Sequence, residues 1–250
     1  MFFPSGLLRV DEIFETVQGE SSSTGFPSVF IRLYGCNVRC LYCDTMPQVG
    51  YVDMQDFEIF SEVCKFNAQH ICITGGEPML QAKEVVALAN MLVENGEYNV
   101  SIETNGIAPL VDEYKRRWRY VMDVKLPSSG EFKRAKEMLL ENTRILCEED
   151  EVKFVIQNEE DWDKFIWCLK EMPKSSKAFQ LSLFAEKGQD PFYWWKYSYE
   201  APRVLVSPVF DFPPTPEQIA WGAELANRIL KMGLYFVRLQ VQIHKILGLK

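Results

Sequence analysis

Ser28-Val29-Phe30-Ile31-Arg32-Leu33-Tyr34-Gly35-Cys36-Asn37-Val38-Arg39-Cys40-Leu41-Tyr42-Cys43-Asp44-Thr45 joins an apolar, β-branched run to a loop rich in cysteine. The run Ser28–Tyr34 reads as a strand. Gly35 ends it, and three thiols follow at C-x3-C-x2-C spacing. Outward from this unit, further strands are predicted at Leu8–Thr16, Ile71–Thr74, Asn99–Glu103, Tyr120–Val124, Val152–Ile156, Gln180–Leu183, Arg203–Val206 and Leu234–Gln240. Helical periodicity marks Met54–Asn67, Gln81–Asn95, Gly130–Glu141, Glu160–Glu171 and Thr215–Met232. The last helix carries a start signal, with Thr215 as cap, Pro216 in the first turn and Gln218 three residues after the cap. Strands alternating with helices predict an α/β fold with right-handed crossovers. A mostly parallel curved sheet, or partial barrel with outer helices, would gather its functional loops at the C-terminal strand ends.

The chain has 250 residues, 47 % hydrophobic and 25 % charged, with a net charge of −8. This suits a single domain over residues 1–250 with a substantial core. It offers no basic field for nucleic acid or an anionic membrane. No apolar stretch approaches the ~20 residues that span a bilayer. The N-terminus lacks a basic region followed by an apolar one, so a cytoplasmic protein is expected. Seven cysteines, an odd number, argue for a reducing compartment. The two histidines, His70 and His244, are too few for a His-rich metal site. Residues 185–202 hold six aromatic side chains without a period and read as an insertion: a packed surface element, a subunit contact or a lid.

Three thiolates within eight residues suit an iron–sulfur cluster or zinc. Structural zinc wants a fourth ligand, which this loop does not supply. Three ligands on a four-iron cube would leave one iron open for chemistry. Downstream, the predicted strand Ile71-Cys72-Ile73-Thr74 runs into Gly75-Gly76-Glu77-Pro78, where paired glycines let backbone approach a ligand closely. Alone, that pair is a tight turn. Placed after a strand and after the cysteine loop, it reads as part of a site.

The cysteine loop, with Tyr42 at the aromatic position of C-x3-C-x-aromatic-C, resembles the radical S-adenosylmethionine superfamily. Further stretches resemble one family within it, 7-carboxy-7-deazaguanine synthase. They are Glu12–Glu20, Gly25-Phe26-Pro27, Phe30-Ile31-Arg32, Gly35-Cys36-Asn37, Cys43-Asp44-Thr45, Glu103-Thr104-Asn105-Gly106, Asp123–Pro127 and Gln240–Lys245. The resemblance covers nearly the whole chain. It departs in the aromatic region and at Ser21, where the family commonly has glycine. The implied fold is the partial, incomplete TIM-like barrel of the radical SAM type.

The resemblance implies a lyase that converts 6-carboxy-5,6,7,8-tetrahydropterin to 7-carboxy-7-deazaguanine with loss of ammonia, in queuosine and 7-deazapurine biosynthesis. Cys36, Cys40 and Cys43 would hold a 4Fe-4S cluster whose open iron binds S-adenosylmethionine, and a 5′-deoxyadenosyl radical would take the hydrogen at C6. Tyr42, Cys43, Asp44, Gly75, Gly76, Glu77, Gly106, Asp123, Val124, Lys125 and, more weakly, Ser207 would bind S-adenosylmethionine. Val17, Gln18, Gly19, Glu20, Arg32, Thr104, His244 and the carboxylate of Lys250 would bind the pterin, and Thr45 would ligate Mg2+. A flavodoxin or similar electron donor and a homodimer are the implied partners.

Taken singly, these residues have plainer readings. Gln18-Gly19-Glu20 and Thr104-Asn105-Gly106 would be turns, Arg32 a solvated strand residue, and Thr45 a loop cap. Asp123 and Lys125 would be a same-face salt bridge, and His244 a structural histidine. Their co-occurrence favours the functional readings. The basic run Lys115, Arg116, Arg117 and Arg119 reads as a solvated helix end or a docking patch for an acidic electron donor. Two rivals stand beside the synthase: a glycyl-radical-enzyme activating enzyme, which would share the cluster but not the pterin set, and a non-catalytic zinc-binding module.

Overall fold

The computed structural model describes residues 6–43, 45, 50–113, 115–172 and 201–249. The predicted strand Gln180–Leu183 and all but the last two residues of the aromatic region lie outside them. Strands β1 (Leu8–Val17) and β2 (Pro27–Leu33) pair antiparallel, and β3 (Val52–Met54) adds to the free side of β1. From β2 the chain lays down β4 (His70–Gly75), β5 (Asn99–Thr104), β6 (Arg119–Asp123), β7 (Glu151–Ile156), β8 (Arg203–Pro208) and β9 (Val237–Leu239). Each is parallel to the one before it. The nine-stranded sheet has the order β3-β1-β2-β4-β5-β6-β7-β8-β9 and is not closed. Helices α1 (Asp56–Val63), α2 (Ala82–Gly96), α3 (Phe132–Thr143), α4 (Glu159–Glu171) and α5 (Pro216–Lys231) fill the crossovers, and α6 (Ile243–Leu247) ends the chain.

The parallel sheet with helical crossovers was legible from the alternation of patterns. The opening hairpin was not, because the segment between β1 and β2 has no helix and so permits an antiparallel pair. The predicted helix at Met54 begins later: Val52–Met54 pairs with β1, and the helix starts after Gln55 and Glu58 form a reciprocal cap. The predicted strand Leu234–Gln240 shrinks to β9, since a turn closed by the Val237 amide on the Leu234 carbonyl precedes it. The cap at Thr215 forms as read, its hydroxyl accepting from the Gln218 amide at 3.3 Å. None of the helices among the described residues is long and apolar enough to cross a membrane.

Strand alternation divides the sheet into two chemically different faces. One face carries Val29, Ile31, Leu33, Ile71, Ile73, Val100, Ile102, Tyr120, Met122, Val152, Phe154, Ile156, Val204 and Val206, all in one buried apolar cluster with α2 and α4. The other face carries Arg32, Cys72, Thr74, Glu103, Asp123, Lys153 and Ser207. The sheet is strongly curled. In its order β1 and β9 stand seven strand spacings apart, about 34 Å if flat at ~4.8 Å each. Yet the Ser21 amide, four residues beyond β1 and so within about 14 Å of its end, donates to Gln240 Oε1 at 3.1 Å, one residue past β9.

The basic run is corrected by the structure. It forms no helix end; it leads into β6, and two of its cations turn inward. Arg116 forks onto the buried Asp150, with Nη1 to Oδ1 at 2.9 Å, and lies over the Trp118 and Tyr120 rings. Arg119 donates to Ser23 Oγ at 2.5 Å and pairs with Glu151 at 3.5 Å. Asp150 also accepts from the amides of Tyr120 and Cys147, both at 2.8 Å, so one carboxylate anchors the start of β6 to the turn before β7. Removing it strands a buried guanidinium. Asp150→Ala should therefore cost about 3–5 kcal/mol, read as a lower thermal midpoint and a lower denaturant midpoint. Unchanged midpoints would show that the pair is dispensable.

Candidate active site

The cysteine loop is fixed at the C-terminal strand ends by its neighbours. The Gly76 amide donates to the Leu33 carbonyl at 3.0 Å and the Glu77 amide to the Gly35 carbonyl at 2.8 Å. Both glycines are required sterically. Gly75 has φ +132, and a Cβ there would run into the Leu33 backbone; a Cβ on Gly76 would run into the Gly35 carbonyl. The backbone these glycines approach is thus the root of the cysteine loop itself. Glu77 is fully buried and accepts from the Met79 amide at 2.9 Å, the Thr104 hydroxyl at 2.7 Å and the Asn105 amide at 2.7 Å. Burial raises its pKa, and the three donors oppose that rise.

Asn105 extends the knot, its Nδ2 donating to Asn37 Oδ1 at 2.8 Å and lying 3.8 Å from Cys36 Sγ. From the other side, Glu131 accepts from the Arg39 amide at 2.9 Å and Arg134 donates to the Asn37 carbonyl at 2.7 Å. Val38 packs with Ile107 and Ala135. Burial raises the pKa of Cys36, and pushes Cys40 up to about 11. Cys43 Sγ lies 3.7 Å from the Thr45 carbonyl. The donor set is three thiols from one loop, with no imidazole among them. Among the described residues, no three of Cys, His, Asp and Glu are already gathered as a cage for a single ion. The set fits a cluster that takes three thiolates and keeps a corner open. Tyr42 turns its hydroxyl into a buried position with no partner among the described residues, and burial raises its pKa.

The polar face of the sheet holds a charge network. Lys125 Nζ lies 2.9 Å from Asp123 Oδ2, the same-face pair read from the sequence. Lys153 Nζ lies 3.3 Å from the same oxygen and also pairs with Glu20 Oε2. Burial opposes charge on each of these groups, yet the pairing wins: Asp123 and Glu20 stand below the usual carboxylate range, and Lys125 and Lys153 above the usual amine range. Glu103 goes the other way, raised by burial that Lys153 only partly offsets.

The loop after β1 crosses this face. Gln18 Oε1 accepts from the Glu20 amide at 3.1 Å and its Nε2 donates to Glu103 Oε1 at 3.1 Å. The C-terminal segment lies on the same loop. Gln242 Nε2 donates to Glu20 Oε1, and the Ile243 amide donates to the Gly19 carbonyl at 3.2 Å. A Cβ on Gly19 would overlap the His244 ring, so only glycine admits this contact. Arg32 pairs with Glu12 and lies over the Phe14 ring at 5.1 Å.

The family model for the radical SAM superfamily matches residues 30–128. The chain is 34 % identical over 243 residues to the 7-carboxy-7-deazaguanine synthase of Methanospirillum hungatei, covering 97 % of this chain and 86 % of that one. The chain belongs to the 7-carboxy-7-deazaguanine synthase family. The synthase of Clostridium acetobutylicum is 32 % identical over 245 residues, covering 96 % of this chain and 95 % of the relative. The crystal structure of QueE from Escherichia coli shares the fold, with a TM-score of 0.62 at 19 % identity over 94 % of each chain.

Several residues sit differently from their reading in the sequence. Thr104 shares its side of β5 with Ile102, not with Glu103. Its hydroxyl donates to Glu77 and accepts from the Gly106 amide at 3.3 Å, so it braces the knot. Val124 is buried in the apolar cluster. Ser207 is buried, its hydroxyl donating to the Pro208 carbonyl at 3.3 Å. Asp44 and Lys250 lie outside the described residues. Reading by motif assigned no role to Glu103, Asn105, Gln240 and Gln242, although they lie in the stretches that carry the resemblance, and Lys153 lies outside every motif. For Lys153 there was one signal, a lysine in the middle of an otherwise apolar parallel strand. Because Gly76 touches the cysteine loop and not open space, Gly76→Ala should lower iron bound per chain after anaerobic reconstitution several-fold, while far-UV circular dichroism stays unchanged. Full iron loading would show that the contact is not needed.

Proposed function

We propose that the chain converts 6-carboxy-5,6,7,8-tetrahydropterin to 7-carboxy-7-deazaguanine and ammonia, as a carbon–nitrogen lyase on a route to queuosine and other 7-deazapurines. The change is redox-neutral overall, so the electron delivered by a flavodoxin or similar donor serves only to start it. The observation that carries the reading is the meeting of Gln18–Glu20 with Gln242–His244. Two segments that bear the family resemblance come together, from opposite ends of the chain, on the polar face of the sheet.

When bound, a 4Fe-4S cluster and S-adenosylmethionine would supply a carbon radical able to take hydrogen from C6 of the pterin. The protein's work is to hold, orient and charge-match. Cys36, Cys40 and Cys43 are the thiolate donors. The backbone at Gly75, Gly76 and Gly106, with Tyr42 and the Asp123–Lys125 pair, would border the cofactor side, and Asp44 is proposed as a further cofactor contact. Glu77 and Thr104 act through the backbone they brace, and Ser207 stands on the same polar face.

On the substrate side, Val17, Gln18 and Gly19 shape the loop. Glu20 offers ionised acceptors to the N–H donors of the amino-pyrimidine, and the Gln18 amide, which can both donate and accept, is matched to the amide edge. Arg32, held by Glu12 and Phe14, is a planar fork for a carboxylate or carbonyl. His244 completes the set. Thr45 would give one hard oxygen to Mg2+, which otherwise takes substrate oxygens and water. A homodimer is the expected assembly.

With reductant, S-adenosylmethionine, Mg2+ and the carboxytetrahydropterin under anaerobic conditions, mass spectrometry should find the deazaguanine acid accumulating over many turnovers. Cleavage of S-adenosylmethionine without that product would refute the substrate assignment. Thr45→Ala should weaken Mg2+ stimulation of the rate about tenfold, the scale of one lost ligand or its support, with iron content unchanged. Unaltered Mg2+ dependence would remove Thr45 from the metal.

A further inference from the structure

Lys153 lies in the middle of Glu151-Val152-Lys153-Phe154-Val155-Ile156, a strand buried along its whole length. An ammonium is costly there unless paired. Its pairing exceeds what cancelling that cost requires, because Asp123 already has Lys125 at 2.9 Å. Lys153 instead reaches two carboxylates at once, Glu20 on the loop after β1 and Asp123 on β6. Buried ion pairs add little net stability over apolar packing of the same volume. The value of this one lies in where it holds charge.

Glu20 is gripped at both oxygens, Oε2 by Lys153 and Oε1 by Gln242 Nε2. Each carboxylate oxygen keeps a further lone pair in a fixed plane. Two more acceptors beside it, Asp123 Oδ1 and Gln242 Oε1, are buried with no hydrogen-bond partner among the described residues. The surroundings are therefore rich in oriented acceptors, which matches a ligand edge made of N–H donors.

We infer that Lys153 is a positioning residue that fixes Glu20, in its plane and in its ionised form, as the acceptor for the amino-pyrimidine edge of the substrate. This rests on the substrate reading given above. The charged groups facing Lys153 are Glu20, Asp123, Lys125 and Glu103, and Gln18 and Gln242 are the neutral amides beside Glu20. Without the ammonium, burial drives Glu20 toward its neutral form. The acceptor is then lost as pH falls and returns as pH rises.

The test uses the cluster-loaded enzyme with S-adenosylmethionine and the fluorescent, unreactive analogue 6-carboxypterin, whose Kd is read by anisotropy. Lys153→Met should raise Kd about tenfold at pH 6.5, the scale of one charge-assisted hydrogen bond, and recover much of the loss at pH 8.5. Glu20→Gln should weaken binding at both pH values. The double variant should bind no more weakly than Glu20→Gln alone, because Lys153 acts through Glu20.

Losses that add, or that do not change with pH, would mark Lys153 as merely structural and overturn the inference. An unchanged Kd in Lys153→Met, with Glu20→Gln weakened, would do the same and leave the substrate reading standing. An unchanged Kd in Glu20→Gln would instead remove Glu20 from the substrate, and both would fall. Should Lys153→Met fail to fold, Gln242→Leu takes its place. It releases the other oxygen of Glu20 and should raise Kd without adding to the effect of Glu20→Gln; additive losses there would overturn the inference equally.

Discussion

The Glu77 carboxylate has no solvent to interact with, yet it receives hydrogen bonds from Met79, Thr104 and Asn105. A buried acceptor on this scale is tolerable only when its donors are complete. That condition ties the turn after β4 to the turn after β5. The amides of Gly76 and Glu77 tie the same turn to the root of the cysteine loop. Three loops from three successive parallel strands are thereby held as one body. The thiols, which carry little packing of their own, take their position from it.

The sheet supplies the second constraint. Alternation sends the branched aliphatic side chains to the helices and leaves Arg32, Glu103, Asp123 and Lys153 on the opposite face. Such a face would be costly to bury bare. The loop after β1 and the segment after β9 cover it, joined by Ser21 with Gln240, Gly19 with Ile243 and Glu20 with Gln242. The curl of the sheet makes that union possible, and Gly19 makes it close. The result is a covered polar face whose charges are already paired and desolvated. A reaction that needs orientation and protection from water more than acid–base power suits such a face.

Local features were legible from sequence. The C-x3-C-x2-C loop, the Gly-Gly-Glu-Pro turn, the Thr215 cap and the strand–helix alternation each depend on residues close in the chain. What was not legible depends on register and on distant partners. Placing Glu103, and not Thr104, on the polar face needed the parity of β5. Recognising Arg116 as a buried partner of Asp150 needed the packing of β6 against the turn before β7. Lys153 and Gln242 gain meaning only beside Glu20, which is far from both in sequence. The paired glycines read as an approach to a ligand, and the close contact the structure shows at them is with the protein's own backbone at Leu33 and Gly35.

These features hold three thiol donors in one braced loop beside a buried charge network, and the proposed function makes those thiols the ligands of a cluster with one free corner. Iron Mössbauer spectroscopy of anaerobically prepared protein, with and without S-adenosylmethionine, examines that most directly. The account predicts a four-iron cluster in which one iron alone changes its parameters when the sulfonium compound is added. A protein that binds zinc instead, or a cluster whose four irons are all indifferent to that addition, would contradict it.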